Sequence, residues 1–210
     1  MKSPNVNIYK VQMAYFFREK SDIRAFGFIS TLYNQLKDVF RTEPQSIPIP
    51  DDAPDDVPRC VWNDVNTSLT FSKIRLDFTF NVPSKYNWEE LFIEFNEKIS
   101  KAIDEYEVII DRVGLVSEVM STDNLHDLLK EFVNIEKYND ASEANISWLE
   151  NIDSFNVWTY IFINEPKNEN KIVFDINSLP DCKLSEQGIS GKDSMNKCAE
   201  KLKGKMLNVF

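Results

Sequence analysis

The sequence predicts an α+β protein of antiparallel sheets with helices packed on one face. Three observations lead there. Ile74, Leu76, Phe78, Phe80 and Val82 alternate with Lys73, Arg75, Asp77 and Thr79, the pattern of a sheet with one buried and one wet face. Trp88, Leu91, Phe92, Phe95, Ile99, Ala102, Ile103 and Tyr106 trace a single helical stripe. The order of elements is strand, helix, long loop, two strands, helix, and then strand, helix, loop, two or three strands, helix. That order reads as a pseudo-duplication of one strand-helix-strand-strand-helix unit, in halves 1–106 and 107–210, although residue identities do not repeat between them. Two tightly joined units and one continuous sheet are both allowed.

Asn5 to Phe17 is β-branched, aromatic and mostly alternating, so it is a strand. Ser21-Asp22 supplies a cap for a helix whose face carries Ile23, Phe26, Ile29, Leu32, Tyr33, Leu36, Val39 and Phe40. The segment 42–58 holds Pro44, Pro48, Pro50, Pro54 and Pro58 together with Asp51, Asp52, Asp55 and Asp56. Five prolines exclude a helix or a central strand and favour an extended, polyproline-like path. Arg59 to Asn66 and Leu69 to Val82 are the next strands, with a bulge or bend near Ser72, because Leu69 and Phe71 are out of phase with Ile74.

On the helix from Trp88 to Tyr106, Glu94–Lys98 and Glu97–Lys101 are favourable i, i+4 pairs on the polar side. A strand runs from Glu107 to Ser121. Thr122-Asp123 caps a short helix carrying Leu125, Leu128, Leu129, Phe132 and Val133. Strands follow at roughly Asn145 to Ile152, Phe155 to Asn164 and Lys171 to Asn177, with a polar turn over Asn164 to Asn170. Val157 to Ile163 is apolar on both faces and is expected at the centre of its sheet. A last helix starts near Ser190 and carries Met195, Cys198, Leu202 and Val209.

Composition narrows the function. The 210 residues hold 34 acids against 24 Lys and Arg, a net charge of −10, which argues against a protein that coats nucleic acid by neutralising phosphates. Five glycines and the absence of GxxxxGK[ST] and GxGxxG argue against a phosphate-cradling loop. His126 is the only histidine, so no His-pair metal site exists, and it reads as a surface or edge residue. Cys60, Cys182 and Cys198 lack CxxC spacing and read as reduced, mostly buried thiols. No run reaches membrane-span length and no leader is apparent, so the expected location is the cytoplasm. No metal site and no cofactor are expected.

The charge is unevenly spread. Residues 1–182 carry −13 and residues 183–210 carry +3, so the lysines of the last helix can meet an acidic partner or an acidic face of their own body. The segment 42–58, with Asp51, Asp52, Asp55 and Asp56, is a candidate docking strip for a basic partner, set against the plainer reading of a solvated linker. Arg112 is a candidate for holding an anionic group or a partner carboxylate; more commonly such an Arg forms a structural pair with a neighbouring element. Asp77 and Asp175 sit at matching places in the two halves. As a pair they can bind a divalent cation or do acid–base work; singly they belong on the wet faces of their strands.

The run from Leu76 to Val119, with Tyr86-Asn87-Trp88-Glu89-Glu90-Leu91 and Asp111-Arg112-Val113-Gly114-Leu115, resembles a sporadically distributed, uncharacterised prokaryotic family. In that family an aromatic-led helix precedes a strand with an Arg-hydrophobic-Gly-Leu signature. The resemblance implies a prokaryotic accessory protein of the kind found near mobile or defence loci, and brings no activity with it.

Three readings follow. The first is a non-catalytic intracellular module that binds another protein, with a basic surface on that partner suiting the Asp-rich loop, as regulator or subunit of a prokaryotic or phage system. The second is an acidic inhibitor that mimics nucleic acid in the channel of a DNA- or RNA-handling enzyme. The third is a small metal-dependent enzyme using Asp77 and Asp175. Direct nucleic-acid or membrane binding is not expected.

Overall fold

The computed structural model describes residues 6–18, 25–50, 52–121, 143–164 and 171–209. Nine strands form one antiparallel sheet in the order β2-β3-β4-β5-β1-β6-β9-β8-β7. They are β1 (Val6–Phe17), β2 (Gln45–Ser46), β3 (Cys60–Asn63), β4 (Thr67–Phe71), β5 (Arg75–Asn81), β6 (Ile110–Ser121), β7 (Glu143–Ile152), β8 (Phe155–Asn164) and β9 (Lys171–Ser178). Three described helices, α1 (Ala25–Leu36), α2 (Trp88–Glu105) and α3 (Gly191–Val209), pack on one face. The α+β class and the one-sided packing are as the sequence predicts.

The halves meet at the middle of the sheet. β1 and β6, each 12 residues long, pair from Val6↔Ser121 to Phe17↔Ile110, with a register shift at Tyr9. Outward from this pair the order is β5-β4-β3-β2 on one side and β9-β8-β7 on the other. One sheet therefore runs through both halves.

The core lies between the sheet and the helices. Helix-facing positions are Val11, Met13 and Tyr15 on β1, Leu76, Phe78 and Phe80 on β5, and Ile172, Phe174 and Ile176 on β9, all at or near zero exposure. Phe28 of α1 meets Phe71 and Phe17, with ring centroids 5.3 and 5.8 Å away. Phe95 of α2 meets Phe78 and Phe80, each at 5.0 Å. A polar network is buried with them. Tyr15 Oη donates to Asn96 Oδ1 at 2.6 Å, and Asn96 Nδ2 donates to Asn196 Oδ1 at 2.8 Å, tying β1 to α2 and α3. Buried polar groups cost little when partnered in this way.

Helix α2 begins where expected because Asn87 caps it, accepting a bond from the Glu89 amide at 3.0 Å, with Glu89 and Glu90 in the favourable first turn. It stops in a left-handed turn. Glu107 has φ +56°, its amide bonds to Asp104 O at 3.1 Å, and the Val108 amide bonds to Ile103 O at 2.9 Å. This is the double-bonded helix end at which glycine is usual. Helix α3 starts at Ser190, whose Oγ accepts from the Asp193 amide at 3.0 Å.

Several expectations are corrected. Leu69 to Val82 is two strands: the chain reverses through Ser72–Ile74, with Ser72 N donating to Arg75 O at 2.8 Å and Phe71 paired to Leu76. A reversal breaks the alternation phase just as a bulge does, so the sequence pattern is the same. Helix α1 ends at Leu36, and Phe40 instead stacks on Trp62 with centroids 4.1 Å apart. β8 lies second from one end of the sheet, not at its centre; it is apolar on both faces because its outer side carries Trp158, Tyr160 and Phe162. The Ser21-Asp22 cap, the helix after Thr122, His126 and most of the turn before Lys171 lie outside the described residues. Cys60 and Cys198 are buried, Cys182 is partly so, and all three are free. Burial raises the Cys60 thiol to about 11. Among the described residues, no helix is long and apolar enough to cross a membrane.

Two substitutions test this packing. Phe78→Ala, at a fully buried position between Phe40 and Phe95, is expected to cost about 3–5 kcal/mol in urea denaturation. Glu107→Gly is expected to raise stability by about 0.5–1 kcal/mol, because glycine takes the left-handed conformation without a Cβ penalty.

Candidate functional site

Alternation leaves one face of the sheet without a described helix. Its rows follow from the register. One crosses as Ser68–Thr79–Gln12–Val116–Asp175–Trp158–Leu149, and the next as Thr70–Asp77–Ala14–Gly114–Asn177–Asn156–Asn151. The smallest side chains, Ala14 and Gly114, stand opposite each other at the middle. A Cβ at Gly114 would come within 3.1 Å of Asn177 Oδ1, so a side chain there would push that amide aside by a few tenths of an ångström.

Toward β8 the face is aromatic. Trp158, Tyr160 and Phe162, two residues apart on one strand, stack with centroids 5.8 and 6.3 Å apart and ring planes within 17° of parallel. Lys171 Nζ lies 5.5 Å from the Phe162 ring centre. Leu149 beside the ladder and Met120 on β6 are 42% and 55% exposed, and the three rings of the ladder are half-buried, so this is a partly exposed apolar surface.

Toward β5 the face is charged and stacked. Phe16 is opposite both Arg75 and Arg112, and the two guanidinium carbons lie 4.7 and 4.9 Å from its ring centre. Arg75 donates to Asp77 Oδ1 at 2.6 Å, and Gln12 donates to the same oxygen at 2.9 Å. Arg112 has no carboxylate partner among the described residues. The Nε atoms of both arginines are buried without a hydrogen bond.

Two acids on this face are held in opposite ways. Burial pushes the Glu118 carboxyl up, but hydrogen bonds from Lys10, Tyr9 and Lys171 outweigh it and bring it down to about 2. Asp175 is raised by burial, with the Asn177 amide at 2.7 Å and the charge of Arg75 only partly offsetting it.

The residues singled out from the sequence fall as follows. Asp77 and Asp175 both lie on the open face but on strands separated by β1 and β6, three interstrand steps and two residues along the sheet, about 16 Å apart. Each is engaged by its own neighbours, so they do not form a pair. Among the described residues no three His, Cys, Asp or Glu side chains gather as metal ligands would. Arg112 is on the face, stacked on an aromatic ring of the next strand.

The loop 42–58 is not an extended strip. Ala53 N bonds to Pro50 O and Val57 N to Pro54 O, each at 3.1 Å, making two successive turns. The buried Arg59 guanidinium donates to Pro50 O and Ala53 O at 3.1 Å and to Pro54 O at 3.4 Å, and so pins both turns. Asp52 and Asp56 are exposed, Asp55 pairs with Lys73 at 3.3 Å, and Asp51 lies outside the described residues. The lysines of α3 meet acids of their own chain: Lys203–Glu89 at 2.9 Å, Lys192–Glu97 at 3.7 Å, Lys201–Asp153 at 2.7 Å, and Lys205–Glu150.

Sequence reasoning missed Phe16 and the aromatic ladder. The signal was present as Trp-x-Tyr-x-Phe in one phase of a strand whose other phase is Val-Thr-Ile-Ile. No protein-family model matches the chain, and no curated protein matches it. Trp88 at the start of α2 and Arg112-Val113-Gly114-Leu115 in β6 remain the residues on which the noted resemblance rests.

The two acids predict opposite pH behaviour. Glu118 sits below its unfolded value, so its contribution is fully present above about pH 4.5 and is lost as pH falls toward about 2. Glu118→Gln is expected to cost about 1–2 kcal/mol at neutral pH and to flatten the melting temperature across that acid window. Asp175 sits above its unfolded value and disfavours folding when ionised. Asp175→Asn is therefore expected to melt higher than wild type at neutral pH, with the difference shrinking on acidification.

Proposed function

We propose that the chain is a non-catalytic module that binds another protein through the open face of its sheet. The observation that carries this reading is the Trp158–Tyr160–Phe162 ladder, standing with Leu149 and Met120 on a face that no described helix covers. A soluble fold gains by burying such rings, and aromatic side chains supply most of the energy at protein interfaces. The face is wide and carries few net charges, which suits a protein surface with an apolar centre and a polar rim.

The alternatives find less support. The acids of the open face are not arrayed as a phosphate track would be: Glu118 is clasped by two lysines and Asp77 by Arg75. The separation of Asp77 from Asp175 takes away the residue pair on which the metal-dependent reading stood. The Asp-rich loop, folded back on Arg59, supports a structural role more than a docking strip.

The test compares three tagged chains for what each retains from native host lysate: wild type, Trp158→Ser/Tyr160→Ser, and Ile93→Ser. Ile93 is an exposed residue of α2 on the helical side. A partner held by wild type and Ile93→Ser but lost from the double variant, with all three chains folded, is the expected result. A partner held equally by all three, or lost only from Ile93→Ser, overturns the assignment of the open face.

A further inference from the structure

The aromatic ladder accounts for half of the open face. The other half has a feature of its own: a cation stacked on a ring, with no carboxylate partner among the described residues. Arg112 stacks on Phe16 from the β6 side and Arg75 stacks on it from the β5 side. Arg75 is ion-paired with Asp77, although its Nε too is buried without a hydrogen bond. Arg112 donates no hydrogen bond to any described residue, and its Nε is buried without a partner. A half-buried guanidinium loses much of its hydration, and pairing with an anion restores what was lost. With Nε buried, stacking on the ring leaves the two Nη groups of the guanidinium to form a fork preset for a planar, two-oxygen acceptor.

Resting on the reading that the open face binds a protein, we infer that Arg112, held on Phe16 and backed by Arg75, receives one carboxylate of that partner. The charges around it choose the ligand. Lys10 and Lys171 are both committed to Glu118, and Arg75 to Asp77. Among the described residues of this face one cation is left, enough for one monoanion, whereas a nucleic-acid strand is held by several phosphate contacts at once. Asp77, bonded to Arg75 beside the stack, repels a phosphate dianion more than a carboxylate. From two strand spacings and four residue rises, about 16 Å separates Arg112 from Trp158 along the sheet. The matching partner therefore presents an acidic group about that far from an apolar cluster.

The side-chain Nε–Hε signal of Arg112, assigned by its loss in Arg112→Lys, reports binding by NMR on the full chain at constant ionic strength. The probes are N-acetylglycine, which mimics a chain end, N-acetylglutamic acid α-amide, which mimics an acidic side chain, inorganic phosphate, and N-acetylglycinamide as a neutral control. Saturable millimolar shifts of Arg112 by a carboxylate probe, absent with the neutral amide and lost in Arg112→Gln, are expected; the better of the two carboxylates identifies a chain end or a side chain as the source. No saturable shift, or phosphate binding as well as either carboxylate, overturns the inference. Neither outcome touches the ladder, whose role is read by the double-serine variant, so the two claims fail separately.

Discussion

The antiparallel pairing of β1 with β6 is the constraint on which the rest of the molecule depends. Each is a full 12 residues, and each is the inner strand of its own half. Their register places Ala14 against Gly114 and Phe16 against Arg112. It also makes a single sheet from two sets of strands that would otherwise end in exposed edges. Beyond the shift at Tyr9, the same pairing sets Val11, Met13 and Tyr15 toward the helices, where Tyr15 reaches the Asn96 network, and Gln12, Ala14 and Phe16 toward the open face. A one-residue slip would exchange these two sets.

Much of this was legible in the residues. The helix from Trp88 announces itself by its apolar stripe and its i, i+4 charge pairs, and its bounds agree within a residue. The one-sided sheet follows from the alternation around Leu76 to Phe80. What escaped the sequence was long-range. Whether Ser72 marks a bulge or a reversal cannot be told from phase alone, because the two break the alternation identically. The place of β8 was misjudged because apolar residues in both phases usually mean burial on both faces; here one phase is a solvent-facing ladder.

Asp77 and Asp175 looked like partners because the sequence order suggested matching places in two similar halves. Corresponding positions in two halves meet only when the halves face each other, and here they lie side by side in one sheet. The proline-rich segment was misread for a related reason. Proline content excludes helix and central strand, but it does not decide between an extended path and successive turns. That choice belongs to Arg59, whose guanidinium collects three carbonyl oxygens from the loop.

The same loop has a consequence for how the protein behaves in a crowded solution. A sheet's terminal strand is a template on which a foreign chain can add itself, residue by residue. Here the terminal strand β2 is two residues long, and the chain leaves it at Ile47 toward Pro48 and Pro50, which have no amide hydrogens to offer. By turning back at Pro50 and Pro54, whose carbonyls Arg59 holds, the chain caps that end of the sheet against growth into a polymer.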